Sequence, residues 1–447
     1  MVATGYDKYG SQEEYDKDPL MHLYNVYVKV TQDLKEDPKV KADAAKWFQR
    51  MENGDDEALD TWSSWRETSL KKYQEVYDQL NVKFDVYTGE SNVSKESMDT
   101  ALAQLEQMEL LANREGAREI DLNKWKLEAP IVRKTGERST LPPFYCDRSI
   151  TATTPDGTST YIIRDIGAAI ERYDQYQFDK MIYVVGAAQN LHISQFFKVL
   201  EVIGLPWAKN LLHVNYGMVL GMSTRKGTAV FLDQIIKQAG NVMHDQMKKN
   251  EHKYANIEDP ETTSLEIAIT GIKIQDLAAK RFVPASFFSF TTEWVANQLY
   301  HSSRINDYTF NWDRMLSFKG DTGPYLQYAH TRLASIGRKN PHLLPLPPAS
   351  QIATHTLAQY PRAREIAFLL GTYPDVVEVA LKTHEPSGIV TFTFRLAHAI
   401  STAWDSVIVK GEEDLEKARA KMYLYECARK VLAAAMRLLS IKPLERM

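Results

Sequence analysis

Two short apolar runs, Met181–Val185 and Leu211–Val219, are rich in β-branched and aromatic residues and are bounded by turn residues. That is the pattern of buried strands. Between them, Phe196, Phe197, Leu200 and Ile203 recur at helical spacing within Ser194–Ile203. Strand, helix and strand in this order predict a βαβ unit of a parallel sheet. Val82–Tyr87 alternates apolar with polar before Thr88-Gly89-Glu90-Ser91, predicting a further strand and its exit loop. Upstream, Met1–Leu80 reads as helical, with a break at Asn53-Gly54-Asp55-Asp56. After that break, Leu59, Trp62, Arg66, Ser69, Tyr73, Val76 and Leu80 share one helical face, widened by Trp65 and Tyr77, and core packing is expected of it.

Amphipathic helix is predicted over Ser94–Asn113, Val230–Asn250 and Thr262–Lys280. Glu128–Thr160 is irregular and Pro-containing, and Lys339–Pro348 is a Pro-rich linker. Pro374 and Pro386 each suit a first helical turn. Leu415, Ala418, Met422, Tyr425, Ala428, Leu432, Ala435 and Leu439 step by threes and fours, predicting one long helix with an apolar stripe.

Composition narrows the class without choosing a function. The 447 residues are 44% hydrophobic and 25% charged, as in ordinary globular chains, and the length suggests two to four domains. The apolar runs are too short to span a bilayer, and no signal-peptide pattern opens the chain, so no membrane partner is expected. Cys146 and Cys427 are the only cysteines, so neither a disulfide framework nor a bound structural metal is expected, and a reducing, cytoplasmic setting follows. The net charge of −4 requires that any nucleic acid be held by local basic patches.

The second apolar run leads into Met222-Ser223-Thr224-Arg225-Lys226-Gly227. Small hydroxyls followed by two cations and a glycine suit a loop that meets phosphate, and they equally suit a solvated basic turn. The hexapeptide alone favours the basic turn; its position shifts the balance toward phosphate, since ligands of open α/β sheets gather beyond the carboxyl ends of the strands.

Five segments in order, YIIRDIGAAIERYDQY, FDKMIYVVGAAQNLH, HVNYGMVLGMSTRKGT, MLSFKGDTGPYLQYAHTRL and the terminal MRLLSIKPLERM, resemble the arginyl-tRNA synthetases of the eukaryotic cytosolic type. MSTRKG is similar to that family's version of the class I KMSKS loop. The resemblance, from about Val82 to Met447, implies an incomplete Rossmann-like catalytic domain with helical insertions, followed by a C-terminal helical anticodon-binding bundle. It implies ATP, with Mg as its counter-ion, L-arginine and tRNA-Arg as partners, in a monomer. The expected division is a helical insertion at 1–81, the second half of the catalytic domain at 82–92 and 159–227, a small insertion at 93–158 and the stem-contact and anticodon helices at 228–447.

The resemblance implies arginine contacts at Tyr161, Asp165 and Gln189. A carboxylate with neutral hydrogen-bonding groups is what a guanidinium requires. Read from pattern alone, Asp165 equally caps a helix beginning at Ile166 or pairs with Arg164 or Arg172, and His192 is either a donor behind the pocket residues or, the preferred reading, a satisfied core histidine. ATP is expected at His213, Gly217, Met218, Val219 and Met222, and the triphosphate at Ser223, Arg225 and Lys226. Tyr325, Gln327 and Tyr328 are expected to face tRNA, against the plainer reading of a buried helix with Pro324 in its first turn. Lys410, Arg419, Lys421, Arg429, Lys430 and Arg437 are phosphate contacts or a solvated face.

Three features depart from the family pattern. About twenty residues at 135–154 and about two dozen at 282–303 intervene, as surface loops or as products of mis-splicing. None of the eleven histidines lies in a HIGH-type motif, which the family places upstream of the GYDKYG-like segment. The expectation is therefore an arginine–tRNA ligase homologue impaired as written, with an exposed apolar sheet edge. The alternative is a non-catalytic tRNA- or protein-binding module.

Overall fold

The structure, a computed structural model, describes residues 1–114, 116–121, 131–132, 138–139, 149–153, 160–219, 230–280, 315, 317–318 and 320–447. It divides into two compact units. One holds residues 1–70, 84–220 and 281–308; the other holds 71–83, 221–280 and 309–447.

The first unit opens with helices α1 (Val2–Tyr9), α2 (Gln12–Lys17), α3 (Pro19–Glu36), α4 (Lys39–Glu52) and the start of α5 (Asp56–Gln79). Ser11 and Asp18 accept hydrogen bonds from backbone N–H groups of the helices they precede, with Pro19 in the first turn of α3. The predicted break between α4 and α5 is a turn in which Gly54 takes φ 79°. The face of α5 is less buried than its periodicity predicts. Ala58 is its one fully buried residue and Tyr73 is 47% exposed, because an aromatic-rich stripe also serves a helix that stays at the surface.

Val82–Tyr87 belongs to no strand and bends at Asp85, and Phe84 and Val86 are exposed. Alternation supplies the side-chain pattern of a strand; the ladder needs a neighbouring chain. The helix predicted over Ser94–Asn113 is α6 (Lys95–Gln107), capped by Ser94. The residues after it turn back into an antiparallel sheet of β1 (Leu111–Arg114), β2 (Ala117–Asp121) and β5 (Ser149–Thr153), with β3 (Ile131–Val132) and β4 (Arg138–Ser139) paired separately. Gly116, at φ 83°, makes the β1–β2 hairpin possible.

Next come α7 (Tyr161–Tyr176), β6 (Met181–Gly186), α8 (Asn190–Ile203) and β7 (Leu211–Tyr216). β6 and β7 pair in parallel from Met181↔Leu211 to Gly186↔Tyr216, so the predicted βαβ unit is present. The core joins Leu105, Ile120, Ile162, Ile166, Phe196 and Leu200. Tyr183 packs edge-on against Phe196 and Phe197, while Ile182 and Val184 on the opposite face are exposed.

The second unit contains α9 (Leu232–Lys248), α10 (Glu251–Tyr254), α11 (Pro260–Leu277), α12 (Gly323–Lys339), α13 (Pro361–Thr383), α14 (Ser387–Ala403) and α15 (Leu415–Leu438). α12 to α15 share a core of Leu326, Leu333, Ile366, Leu396, Ile400, Ala428 and Leu432, matching the stripe read in α15. Pro386 does precede a helix, but Pro374 lies inside α13, whose first-turn proline is Pro361. Its pyrrolidine faces solvent, where the hydrogen bond it forfeits is least costly. α11 and α12 cross so closely that a Cβ on Gly323 would lie 2.5 Å from the Gly271 nitrogen. The tail after α15 is tied down by Lys273, which donates to the carbonyl oxygens of Leu80 and Ser440.

Candidate active site

The site forms where α7 and α8 begin. Thr160 directs both its N–H and its Oγ1 to the carbonyl of Ala152, each at 3.0 Å, fixing the start of α7 beside β5. Ile162, Ile163, Ile166 and Ala169 turn into the core. Tyr161, 68% exposed, and Asp165, one turn later, are left on an accessible face. β6 ends at Gly186, and the turn Ala187–Gln189 leads into α8, with Gln189 exposed. Asn215 Nδ2 donates to Asn190 Oδ1 at 2.9 Å, and His213 Nε2 lies 3.0 Å from the Val185 carbonyl. These bonds pin the carboxyl ends of both parallel strands, the place where such sheets present ligands.

Asp165 Oδ2 sits 2.6 Å from His192 Nε2, and both side chains are partly exposed. Of the two readings of His192 the preferred one, a core residue, is corrected: the ring contacts the acid and fixes its rotamer. The bond joins the first turns of α7 and α8, bringing Asp165 to the helix start that carries Gln189 three residues before His192. Asp165 caps nothing, since α7 already begins at Tyr161. Nor does it pair with Arg164, which is 8% exposed and gives Nη2 to Glu52 Oε1 at 2.5 Å.

Glu90 is the residue that pattern reading missed. It sits in the short turn Glu90–Asn92, and burial pushes its carboxyl above the usual range, with the charge of Asp165 adding to the effect and Arg164 and His192 opposing it. Glu90 is nonetheless exposed by surface area, and two carboxylates whose charges oppose each other favour a cation nearby. The sequence signal was slight, an acid in a Gly-Glu-Ser loop that any solvated turn would tolerate.

Gly217, Met218 and Val219 follow β7, with Met218 53% exposed and Tyr216 44% exposed beside it. Met222, Ser223, Arg225 and Lys226 lie outside the described residues, as do Cys146 and the 282–303 segment. Among the described residues no group of three or more His, Cys, Asp or Glu is arranged to hold a metal ion.

In the second unit the tRNA candidates separate. Tyr328 is 37% exposed with Arg332 over its ring at 5.4 Å. The Tyr325 hydroxyl is 3.0 Å from Ser401 Oγ, beside His398, whose Nε2 is 2.7 Å from Asp321 Oδ1. Gln327 is fully buried: Nε2 donates to Thr270 Oγ1 at 2.8 Å and to the Lys442 carbonyl at 2.9 Å, and Oε1 accepts from Leu444 N–H at 3.0 Å. Its expectation as a tRNA contact is therefore corrected, since no atom of its amide is left to offer. Lys421 is likewise buried against Glu412 at 2.6 Å, and Arg429 pairs with Glu426 and Glu445. Arg362, Arg395, His398 and Phe368 line an open hollow of about 300 Å³ between α13 and α14.

A parallel βαβ unit with its ligand end built from helix starts, and a helical bundle in a second unit, are the parts of a class I aminoacyl-tRNA synthetase, and the family matches identify the chain as one. Residues 1–290 match the family of class I tRNA synthetases (R), catalytic domain, and residues 326–447 match the DALR anticodon binding domain. The cytoplasmic arginine–tRNA ligase of Saccharomyces cerevisiae is 43% identical over all of this chain, which spans 68% of that protein. An arginine–tRNA ligase of Clostridioides difficile is 33% identical over the whole chain and 70% of its own length. The fold is similar to the Thermus thermophilus arginyl-tRNA synthetase, with TM-score 0.68 at 18% identity over all of this chain and 73% of that one. This chain belongs to the arginine–tRNA ligase family, whose substrates are arginine, ATP and tRNA.

Proposed function

We propose that the α7–α8 end of the parallel strands binds L-arginine, and that the chain takes part in ATP-dependent formation of arginyl-adenylate and transfer of arginine to tRNA-Arg. The observation that carries this reading is the partly exposed carboxylate of Asp165, held 2.6 Å from His192, with Glu90 near enough for its carboxyl to feel that charge. A guanidinium satisfies both, and the planar fork of its N–H groups matches a carboxylate better than an ammonium does. Tyr161 and Gln189 complete the pocket as neutral hydrogen-bonding groups. Gly217, Met218 and Val219 hold the adenosine, with His213 bracing the strand beneath them. Met222, Ser223, Arg225 and Lys226 carry the triphosphate, which arrives with Mg as counter-ion, and no structural metal is required.

In this reading the arginine carboxylate attacks the α-phosphorus, pyrophosphate leaves, and a terminal ribose hydroxyl of tRNA then displaces AMP. The side chains of the pocket hold the amino acid still and compensate charge; positioning supplies most of the rate. Tyr325 and Tyr328 meet tRNA by stacking or ribose contact, and Arg362 and Arg395 offer charge to its phosphates. The protein acts as a monomer in the cytoplasm, away from membranes. The test is arginine-dependent exchange of pyrophosphate into ATP, measured with and without tRNA-Arg. Exchange that requires arginine supports the reading. Salt-sensitive tRNA binding without any exchange would favour a binding module instead.

A further inference from the structure

Arg164 places the protein's own guanidinium next to a pocket read as a guanidinium site. It immediately precedes Asp165, is 8% exposed, and its charge is felt by Glu90. Yet it turns away from both pocket acids. Its Nη2 donates to Glu52 Oε1 at 2.5 Å, and its guanidinium carbon stands 4.9 Å from the centroid of the Phe48 ring. Glu52 and Phe48 lie one turn apart on α4, 112 and 116 residues before Arg164 in the chain. Glu52 itself is one-quarter exposed, so this is a sheltered pair and not a solvated one.

We infer that Glu52 and Phe48 are positioning residues for the arginine pocket: by clamping Arg164 against α4 they keep an internal guanidinium off Asp165 and Glu90. The inference rests on the pocket reading above. Its physical basis is competition. A guanidinium tethered beside a site acts at an effective concentration on the order of millimolar or more, enough to rival a free amino acid carrying the same group. If Glu52 loses its charge, Arg164 becomes a buried cation without a counter-charge, held only by the Phe48 ring and a neutral acceptor, a costly state. The acid it then turns to first is Glu90, which its field already reaches, and the α4 carboxylate is the alternative that prevents this.

The test uses the full chain and four proteins: wild type, Glu52→Gln, Glu52→Asp and the double variant Glu52→Gln/Arg164→Met. L-arginine binding is titrated by calorimetry, and the Glu90 carboxylate is followed by NMR across pH. The expected result is roughly tenfold or greater weakening of arginine in Glu52→Gln, largely restored in Glu52→Asp. Affinity should return in the double variant, where the competitor is gone and Met fills the space. The Glu90 midpoint should fall in Glu52→Gln as Arg164 approaches it. A purely structural role for the ion pair predicts a double variant no better than the single one, and that outcome overturns the inference. An unchanged Glu90 midpoint in Glu52→Gln overturns it equally. If the wild type fails to bind arginine, the pocket reading falls, while the Glu90 titration still decides where Arg164 goes.

Discussion

Replacing Gln327 by Ala should loosen the C-terminal tail from the helical unit. The amide is fully buried and joins α11, α12 and the tail through three hydrogen bonds. Thr270 Oγ1 keeps its bond to the Glu266 carbonyl at 2.7 Å, so it loses only an accepted bond. The Leu444 N–H and the Lys442 carbonyl lose their partner outright. Both bonds are partly buried, so each orphaned backbone group costs about 1–2 kcal/mol, and the volume vacated by the buried side chain adds to that, for a total of about 3–5 kcal/mol. The cost is local if the tail opens by itself and global if it opens with the bundle. Hydrogen exchange of the terminal peptide, read by mass spectrometry, distinguishes the two: a local loss speeds exchange at Leu444 by about 100-fold or more while α14 stays protected. Gln327→Glu keeps the acceptor for Leu444 but cannot donate to the Lys442 carbonyl, so an intermediate effect is expected. Unchanged exchange at Leu444 in Gln327→Ala, together with an unchanged urea midpoint, would refute the reasoning and reopen Gln327 as a surface contact.

Gly323→Ala places a methyl 2.5 Å from the Gly271 nitrogen and 2.6 Å from its Cα, so α11 and α12 must separate; a loss of about 2–3 kcal/mol is expected in urea unfolding of the whole chain. Stability should also fall in acid through His330. Its Nδ1 is 2.7 Å from the Leu444 carbonyl, its Nε2 is buried without a partner, and burial holds its pKa below the ordinary 6.5. Between the depressed native value and 6.5 the unfolded chain binds the proton and the native chain does not, so stability declines as pH drops through that window. Urea midpoints measured on both sides of it, with His330→Leu as the variant that removes the slope, check this.

What sequence made legible was whatever depends on local periodicity. The βαβ unit at Met181–Tyr216 and the stripe of α15 follow from side-chain spacing, and both are present. Spacing was silent on partners. Val82–Tyr87 alternates like a strand but has no ladder, and the end of the predicted Ser94–Asn113 helix is drawn into a sheet by the turn at Gly116. The conspicuous Asp321–His330 segment looked like a contact for tRNA. Much of it is architecture: Thr322 caps α12, Gly323 permits the helix crossing, and Gln327 and His330 hold the tail. In the pocket, the roles of Asp165 and His192 became clear only when a 27-residue separation closed to 2.6 Å. Glu90 carried only the slight signal of an acid in a Gly-Glu-Ser loop, since its importance is the field of an acid 75 positions away.

The most direct test of the central claim is calorimetric titration of L-arginine and its uncharged isostere L-citrulline into the wild type and Asp165→Asn. Removing one charged partner of a partly desolvated guanidinium contact is worth about 2–4 kcal/mol, or roughly 30- to 1000-fold in Kd. The account predicts that arginine binds the wild type, that Asp165→Asn weakens it by that factor, and that citrulline binds neither protein measurably. Equal arginine affinity in wild type and Asp165→Asn, or citrulline binding as tightly as arginine, would contradict it.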